Sequence, residues 1–260
     1  MSASTWFRRN IYNRLVNIWR VVRSNRTTVV YIPQDEISYN QDGLMACTNC
    51  DFIKNENFLR AYNAGKATDS WQGGEIHWRV HVILWAAERG LKLGGDFVEC
   101  GVNRGGYSRA IFEYLDMKTF ASRKFFLLDT YEGFSEKYLS EQEKARGKNF
   151  GGYEDSYEIV KKTFSGFKNA IIVKGPVPDT LPNVTSDQIS YLSIDMNCVE
   201  PEIAAAEFFW DKLVSGAVMV LDDYGWAEHL AQKRAFDDFA KRKSVTILSL
   251  PTGQGILIKP

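Results

Sequence analysis

The chain has 260 residues, of which 45% are apolar, and this length and composition predict a globular protein with a sizeable core. Lysine plus arginine equals aspartate plus glutamate at 32 each, so no net charge favours nucleic acid as a partner. No apolar run is long enough to span a bilayer, the apolar core of a secretory signal is missing, and the four cysteines are scattered; these features predict a cytoplasmic protein.

Residues 1–30 form a basic amphipathic segment. Six arginines and no acid precede Asp35, and apolar side chains recur on one helical side at Phe7, Ile11, Leu15, Ile18, Trp19 and Val22. Packing on the chain's own domain or on a second subunit, a peripheral membrane contact through residues 5–26, and a mitochondrial presequence all fit this pattern. Arg8 interrupts the apolar side, which weakens the membrane interpretation.

Residues 31–94 predict a helical cap beside the carboxyl edge of the sheet that follows, with one helix over "EIHWRVHVILWAAERGLKL". Cys47-x-x-Cys50 and His77-x-x-x-His81 each have the spacing of zinc ligands. The gap between the pairs is too long for a zinc finger, and the histidines lie in an apolar helix. Two half-buried structural histidines are therefore favoured.

Residues 95–260 alternate between strand-like and helix-like segments, which predicts an α/β fold with a mostly parallel sheet. The seven predicted strands are "FVEC", "FFLLD", "AIIVKG", "YLSID", "AVMVLDD", "VTILSLP" and "GILIKP". Only "TGQ" separates the last two, so we expect an antiparallel hairpin at one edge. Seven strands with one reversed edge strand is the Rossmann-like layout of class I methyltransferases. A charged insertion at residues 135–155 follows the second strand, where a lid is expected.

The glycine-rich turn in "DFVECGVNRGG" points to a ligand site at the end of the first strand. A dinucleotide fingerprint needs a glycine where this chain has Asn103. The pattern Glu99, Gly101 and Gly105 instead resembles the first motif of S-adenosylmethionine-dependent methyltransferases. Asp129 ends the second strand, where a carboxylate can accept hydrogen bonds from both ribose hydroxyls of an adenosyl group. The alternative is that these acids only cap a helix or fix a loop.

Tyr157 and Lys161 form a Tyr-x-x-x-Lys pair like that of short-chain dehydrogenases. The pair follows the second strand rather than lying deep in the second half of the domain. Chance spacing in a chain rich in both residues explains it better.

Three aspartates end the fourth and fifth strands, Asp195 on one and Asp222 and Asp223 on the other. Carboxylates that converge at one sheet edge need a cation. Their hard oxygen ligands suit Mg²⁺, Mn²⁺ or Ca²⁺ better than Zn²⁺. Capping of the following helices is the alternative for some of them.

Several motifs together resemble the macrocin and mycinamicin O-methyltransferase family, metal-dependent enzymes that methylate sugar hydroxyls of natural products. The motifs are "GDFVECGVNRGG", "LLDTYEGF", "GPVPDTLP", "SIDMNCVEPEIAAAEFFWDKLVSGAVMVLDDYG" and "QKRAFDDF", within about Ile76 to Pro260. The resemblance implies a class I fold, S-adenosylmethionine as methyl donor, and a dimer or higher homo-oligomer. It implies a divalent ion on Asp195, Asp222 and Asp223. The predicted cofactor-binding residues are Glu99, Gly101, Asn103, Gly105, Asp129, Gly175 and Asp195.

The chain departs from this family after the fourth strand. Many members read Asp-x-Asp-x-Tyr there, whereas this chain reads Asp195, Met196, Asn197, Cys198 and Val199. In the more distant catechol methyltransferases a lysine base occupies the position of Cys198. The base predicted here is therefore either Asp195 or His229, for which a surface position is the alternative.

The sequence thus predicts a divalent-metal-dependent O-methyltransferase that acts on a hydroxyl of a small molecule, such as a sugar of a glycosylated natural product. A non-catalytic binding or scaffold protein with the same fold is one alternative, and a nicotinamide-dependent oxidoreductase is another. The acceptor itself is not predicted, because its pocket would be built from the least family-like segments.

Overall fold

A computed structural model of the chain describes residues 33, 35–145 and 153–260. The amphipathic segment at residues 1–30 lies outside them, as do the interpretations that rest on it. Among the described helices, none has the length and apolar character needed to cross a membrane.

The described residues divide into two compact units, with the division after Cys50. In the first, strands β1 (Tyr39–Gln41) and β2 (Leu44–Ala46) form a hairpin. Asp42 and Gly43 make its turn with positive φ values of 54° and 69°, as expected for an Asp-Gly turn between antiparallel strands. The domain boundaries predicted after residues 30 and 94 stay predictions.

The second unit contains a seven-stranded sheet of order β5-β4-β3-β6-β7-β9-β8. Its strands are β3 (Asp96–Cys100), β4 (Phe125–Asp129), β5 (Ala170–Lys174), β6 (Ile189–Ile194), β7 (Leu213–Leu221), β8 (Leu248–Ser249) and β9 (Gly255–Ile258). The first five are parallel, and β9 runs antiparallel to both of its neighbours. The predicted class I methyltransferase topology is therefore confirmed. The terminal hairpin forms the edge, with the short β8 outermost and the reversed β9 next to it.

Helices cover both faces of this sheet. They are α1 (Glu56–Lys66), α2 (His77–Leu93), α3 (Gly106–Tyr114), α4 (Met117–Phe120), α5 (Glu141–Lys144), α6 (Tyr157–Phe164), α7 (Val199–Trp210) and α8 (Leu230–Arg242). Alternate strand residues point to opposite faces, so each strand contributes to two cores. One core lies under α1, α2 and α3, and the other lies under α7 and α8.

Helix α2 lies along the sheet face rather than at its edge. Val80, Ile83, Leu84 and Ala87 are buried in the first core, together with Tyr191 of β6. The apolar stripe predicted for this segment is what packs there. The first turn of α2 reaches the carboxyl edge of the strands, where it contributes Arg79 to the candidate site.

Candidate functional site

The conformation of the glycine loop between β3 and α3 is fixed by the segments of the protein that pack against it. Gly101 has a φ of 91°, and a Cβ atom there would lie 1.8 Å from the carbonyl oxygen of Asp195. The Asp195 N–H donates to the Cys100 carbonyl at 2.8 Å, which holds the ends of β6 and β3 together. Gly105 has a φ of 88°, and its Cβ would lie 2.6 Å from the Phe164 ring. Packing within the protein therefore requires glycine at both positions, whatever ligand binds.

The backbone N–H groups from Val102 to Gly106 all donate to protein oxygens. The first two donate to Asp129 Oδ2, both at 2.7 Å. The third and the fifth donate to Ser70 Oγ at 3.2 and 2.9 Å, and the fourth donates to the Val102 carbonyl at 2.8 Å. A pyrophosphate site needs loop N–H groups directed at the ligand. This hydrogen bonding therefore disfavours a dinucleotide, in agreement with the missing second glycine.

The loop is also held by segments that the sequence pattern does not connect to it. Asn103 has a φ of 53°, a conformation that asparagine tolerates better than most residues, and its side-chain nitrogen donates to the Ser70 carbonyl at 3.1 Å. Arg104 pairs with Asp69 at 3.1 Å and with Glu154 at 3.3 Å. The segments before α2 and α6 thus flank the loop. No periodicity or motif in the sequence marks Ser70 for this role.

Asp129 is both a strand-end acid and the anchor of the loop. Besides the two N–H groups on Oδ2, its Oδ1 accepts the Tyr131 N–H at 2.6 Å and the Thr130 hydroxyl at 3.2 Å. Burial raises the pKa of this carboxyl, and the backbone N–H groups oppose that rise. A carboxylate has about four lone-pair sites, and the four donors fill them. The Thr130 hydroxyl also contacts the Gly133 carbonyl and can turn its single proton there, which frees about one site for a ligand. Asp129 thus has room for one ribose hydroxyl, and the predicted contact with both hydroxyls stays a prediction.

Gly175 ends β5 beside Asp129. Its N–H donates to the Asp129 carbonyl at 2.9 Å, its φ is 136°, and a Cβ would lie 2.7 Å from Thr180 Cγ2. The structure places Gly175 at the correct edge of the sheet. Its part in cofactor binding stays a prediction.

Glu99 faces helix α3 rather than an open groove. Its side chain is buried, and the Ser108 hydroxyl donates to its Oε2. Burial raises its pKa to about 8, with the Ser108 hydrogen bond acting in the opposite direction. Glu99 is therefore an interior carboxyl, and a direct contact with a cofactor stays a prediction.

The raised pKa of Glu99 predicts a pH dependence of folding. When a carboxyl has a higher pKa in the folded than in the unfolded protein, it stabilises the fold fully at pH values below its ordinary pKa of 4.5. This stabilisation is lost as the pH rises toward the folded-state pKa of about 8. In metal-free buffer, the free energy of unfolding should fall by a few kcal/mol between about pH 5 and about pH 8. Urea titrations should show a shallower fall in Glu99→Gln than in the wild type.

Glu200→Gln, at an exposed position, is the matched control and should keep the wild-type slope. Burial also raises the pKa of Glu202 to about 8, so part of the slope should remain in Glu99→Gln. An unchanged slope in Glu99→Gln would show that Glu99 does not hold its proton in the folded protein.

Asp195, Asp222 and Asp223 converge at the ends of β6 and β7, as predicted. One carboxylate oxygen from each lies within 4.8 Å of the others. Burial, followed by the charges of Asp222 and Asp223, raises the pKa of Asp195 well above its ordinary value. Three hard oxygen donors at this separation, two of them half-buried, are a set that a divalent cation fits. In the described part of the chain, this is the one group of three or more acidic, histidine or cysteine side chains close enough to share an ion.

Asp222 is held by three side chains that the sequence does not reveal. Arg79 donates to Oδ2 at 2.8 Å, and Tyr107 and Gln254 each donate to Oδ1 at 3.0 Å. Asp222 is only 2% exposed, so these donors compensate a carboxylate that water does not reach. They come from α2, α3 and the turn before β9, elements that only the fold brings together.

His229 is buried beside this cluster, not at the surface. Its Nδ1 lies 2.8 Å from Gln232 Nε2 and 3.7 Å from Asp223 Oδ2. Gln232 also hydrogen-bonds Glu202. If the Gln232 amide nitrogen faces both side chains, it can donate one hydrogen to His229 Nδ1 and the other to the Glu202 carboxylate. Nδ1 is then an acceptor already in use, which disfavours His229 as a base through that atom. Which of Asp195 and His229 is the base stays a prediction.

The histidines and the tyrosine–lysine pair considered for other chemistries have structural partners. His77 stacks on Tyr62 and His81 on Phe52, both with ring centroids 4.1 Å apart, as expected for half-buried structural histidines. Lys161 is exposed and pairs with Glu158 at 3.0 Å on the outer side of α6.

Residues 87–248 match the macrocin O-methyltransferase (TylF) family. The chain belongs to this family. A curated relative, the 8-demethyl-8-(2,3-dimethoxy-α-L-rhamnosyl)-tetracenomycin-C 4′-O-methyltransferase of Streptomyces olivaceus, is 25% identical over 156 residues. The match covers 56% of this chain and 60% of the relative, so the chain spans less than two thirds of that protein's length.

Solved methyltransferase structures share the fold of this macrocin O-methyltransferase family member. The O-methyltransferase NovP superposes with a TM-score of 0.60 at 20% identity, covering 70% of this chain and 79% of NovP. The calicheamicin methyltransferase CalS11 superposes with a TM-score of 0.51 at 14% identity, covering 89% of this chain and 98% of CalS11. A methyltransferase of Podospora anserina bound to S-adenosylhomocysteine gives a TM-score of 0.52 at 13% identity, with coverage of 79% and 88%.

The segment in which this chain departs from many family members lies directly at the acidic cluster. Asn197 has a φ of 57°, and its side-chain nitrogen donates to Asp195 Oδ1 at 3.3 Å and to the Tyr153 hydroxyl at 3.1 Å. Cys198 is buried, and its thiol contacts the Met196 carbonyl at 3.1 Å. Cys198 therefore does not replace a lysine base. Tyr153, which no motif predicts, joins the site through Asn197.

Proposed function

We propose that this chain is an S-adenosylmethionine-dependent O-methyltransferase that uses a divalent metal ion. The observation that carries the proposal is the pairing of two features at one sheet edge. A glycine loop whose N–H groups are already occupied suits a ligand without phosphates, and the cluster of Asp195, Asp222 and Asp223 lies beside it. Membership of the macrocin O-methyltransferase family supports the reaction class.

The proposed acceptor is a hydroxyl group of a small molecule, and a sugar hydroxyl of a glycosylated natural product is the favoured class. The support is the printed activity of the Streptomyces olivaceus relative on a rhamnosyl tetracenomycin. The cytoplasmic location and the homo-oligomeric state that the sequence predicts stay predictions.

In the proposed mechanism, the side chains of Asp195, Asp222 and Asp223 would hold the ion, Mg²⁺ or another divalent such as Mn²⁺ or Ca²⁺. When bound, S-adenosylmethionine would supply an electrophilic methyl group and leave as S-adenosylhomocysteine, and the ion would lower the pKa of the acceptor hydroxyl. Asp195 accepts the proton that the hydroxyl loses, and the Asn197 amide orients the Asp195 carboxylate by donating to its Oδ1. The chain supplies position and charge, and it forms no covalent intermediate.

The two alternatives fit the site less well. A nicotinamide oxidoreductase would need loop N–H groups for the pyrophosphate, and these donate to Asp129 and Ser70. A non-catalytic scaffold would have no need of three carboxylates that repel one another at the ends of β6 and β7.

The donor assignment is tested by calorimetry with S-adenosylhomocysteine. The wild type should bind this ligand, and Asp129→Ala should weaken binding by about 1 to 3 kcal/mol, because Asp129 both orders the loop and accepts a ribose hydroxyl. Asp187→Ala, a change at a side chain that is 94% exposed, is the control and should bind like the wild type. Binding of NADH without binding of S-adenosylhomocysteine would refute the proposal.

A further inference from the structure

We infer that Arg79 is a fixed counter-charge of the acidic cluster that weakens its affinity for divalent ions, an inference that rests on the proposed metal dependence. Arg79 lies in the first turn of α2 and donates from Nη1 to Asp222 Oδ2 at 2.8 Å. Asp222 is 2% exposed and the Arg79 side chain is 19% exposed, so solvent screens this ion pair little.

The guanidinium of Arg79 is held in place independently of any ion. Its central carbon lies 5.8 Å from the centre of the Trp226 ring, a cation–π distance. Helix α2 is fixed to the sheet by its buried apolar residues, so it needs no ion pair to dock. Arg79 thus presents a permanent positive charge to one of the three proposed ligands.

The positive charge of Arg79 changes the charge balance of the aspartate cluster. Three ionised carboxylates would attract a cation strongly and would repel one another when no cation is bound. With Arg79 present, a single divalent ion neutralises the whole group. Arg79 therefore lowers the repulsion in the metal-free protein, and it opposes a metal ion that approaches Asp222.

The position of Asp222 does not depend on Arg79 alone. Tyr107 and Gln254 donate to the other oxygen, each at 3.0 Å, and would keep the carboxylate oriented after Arg79 is replaced. Removal of the Arg79 charge should therefore change the affinity for metal ions more than the orientation of the Asp222 carboxylate. If Arg79 were only a structural contact, its loss would weaken metal binding instead of strengthening it.

The test is a titration of the full chain with Mn²⁺. Calorimetry measures the affinity, and thermal melting measures the stabilisation by the ion. We expect Arg79→Gln to bind Mn²⁺ at least about tenfold more tightly than the wild type. The metal-free variant should melt at a lower temperature, and saturating Mn²⁺ should raise its melting temperature more than that of the wild type.

Two further variants isolate the charge. Arg79→Lys keeps it and should bind Mn²⁺ within about threefold of the wild type. Tyr107→Phe removes a neutral donor to the same carboxylate and should also stay within about threefold. The inference would be overturned if Arg79→Gln bound Mn²⁺ no more tightly than the wild type, or if Arg79→Lys gained as much affinity as Arg79→Gln. Either result would leave the proposal of a metal site standing. Absence of Mn²⁺ binding in all variants would refute the metal dependence itself, and S-adenosylhomocysteine binding would then show whether the donor assignment survives.

Discussion

Asp195→Asn is expected to lower methyl transfer by at least about 100-fold, a larger effect than its effect on the binding of S-adenosylhomocysteine, to which Asp195 is also predicted to contribute. The substitution keeps the shape of the side chain and one oxygen, but it removes a charge from the group formed with Asp222 and Asp223. It also removes the proposed proton acceptor. The measurement is transfer from S-adenosylmethionine to a panel of glycosides with adjacent hydroxyls, with Mg²⁺ and after treatment with EDTA.

Two variants sharpen this result. Asp187→Asn, at an exposed position, controls for a general effect of losing a carboxylate and should retain full activity. His229→Ala tests the other predicted base, and its effect should be smaller than that of Asp195→Asn because Nδ1 already accepts from Gln232. A larger loss in His229→Ala would assign the proton transfer to His229. Full activity in metal-free buffer would contradict the role given to all three aspartates.

Gly101→Ala is expected to destabilise the fold by more than about 4 kcal/mol, or to prevent folding. The new Cβ would lie 1.8 Å from the Asp195 carbonyl oxygen and 2.4 Å from its carbonyl carbon. Strand β6 would have to separate from β3, where the Asp195 N–H donates to the Cys100 carbonyl. Unfolding in urea, or the yield of folded protein where the variant does not accumulate, measures the effect.

Two other glycines separate steric overlap from backbone strain. Gly73 has a φ of 81°, and apart from its chain neighbours no atom lies within 4 Å of the position that a Cβ would take. Gly73→Ala should therefore cost only the strain of a positive φ, about 1 kcal/mol. Gly166 has as much free space around the position of a Cβ, and its φ is not positive. Gly166→Ala should therefore leave the free energy of unfolding nearly unchanged. A small effect of Gly101→Ala would mean that Gly101 is there for the ligand rather than for the packing of β6.

The sequence alone was sufficient to predict the order and type of the main elements of residues 96–260, because strand and helix periodicity is local. It also predicted that Asp195, Asp222 and Asp223 would meet, since parallel strands bring their carboxyl ends to one edge. The short "TGQ" connection fixed the antiparallel pairing of β8 and β9. Each of these predictions depends on spacing within a few residues or on a general rule of parallel sheets.

Only the tertiary structure decided how these residues are used. Arg79 and Asp222 are 143 residues apart and form an ion pair because α2 packs across the sheet face, which no local pattern encodes. The same holds for Ser70, which accepts from the glycine loop, and for Asn197, which connects Asp195 to Tyr153. The sequence identifies the carboxylates at the strand ends, but their charge balance and hydrogen-bond donors come from distant segments that approach only when the core is packed.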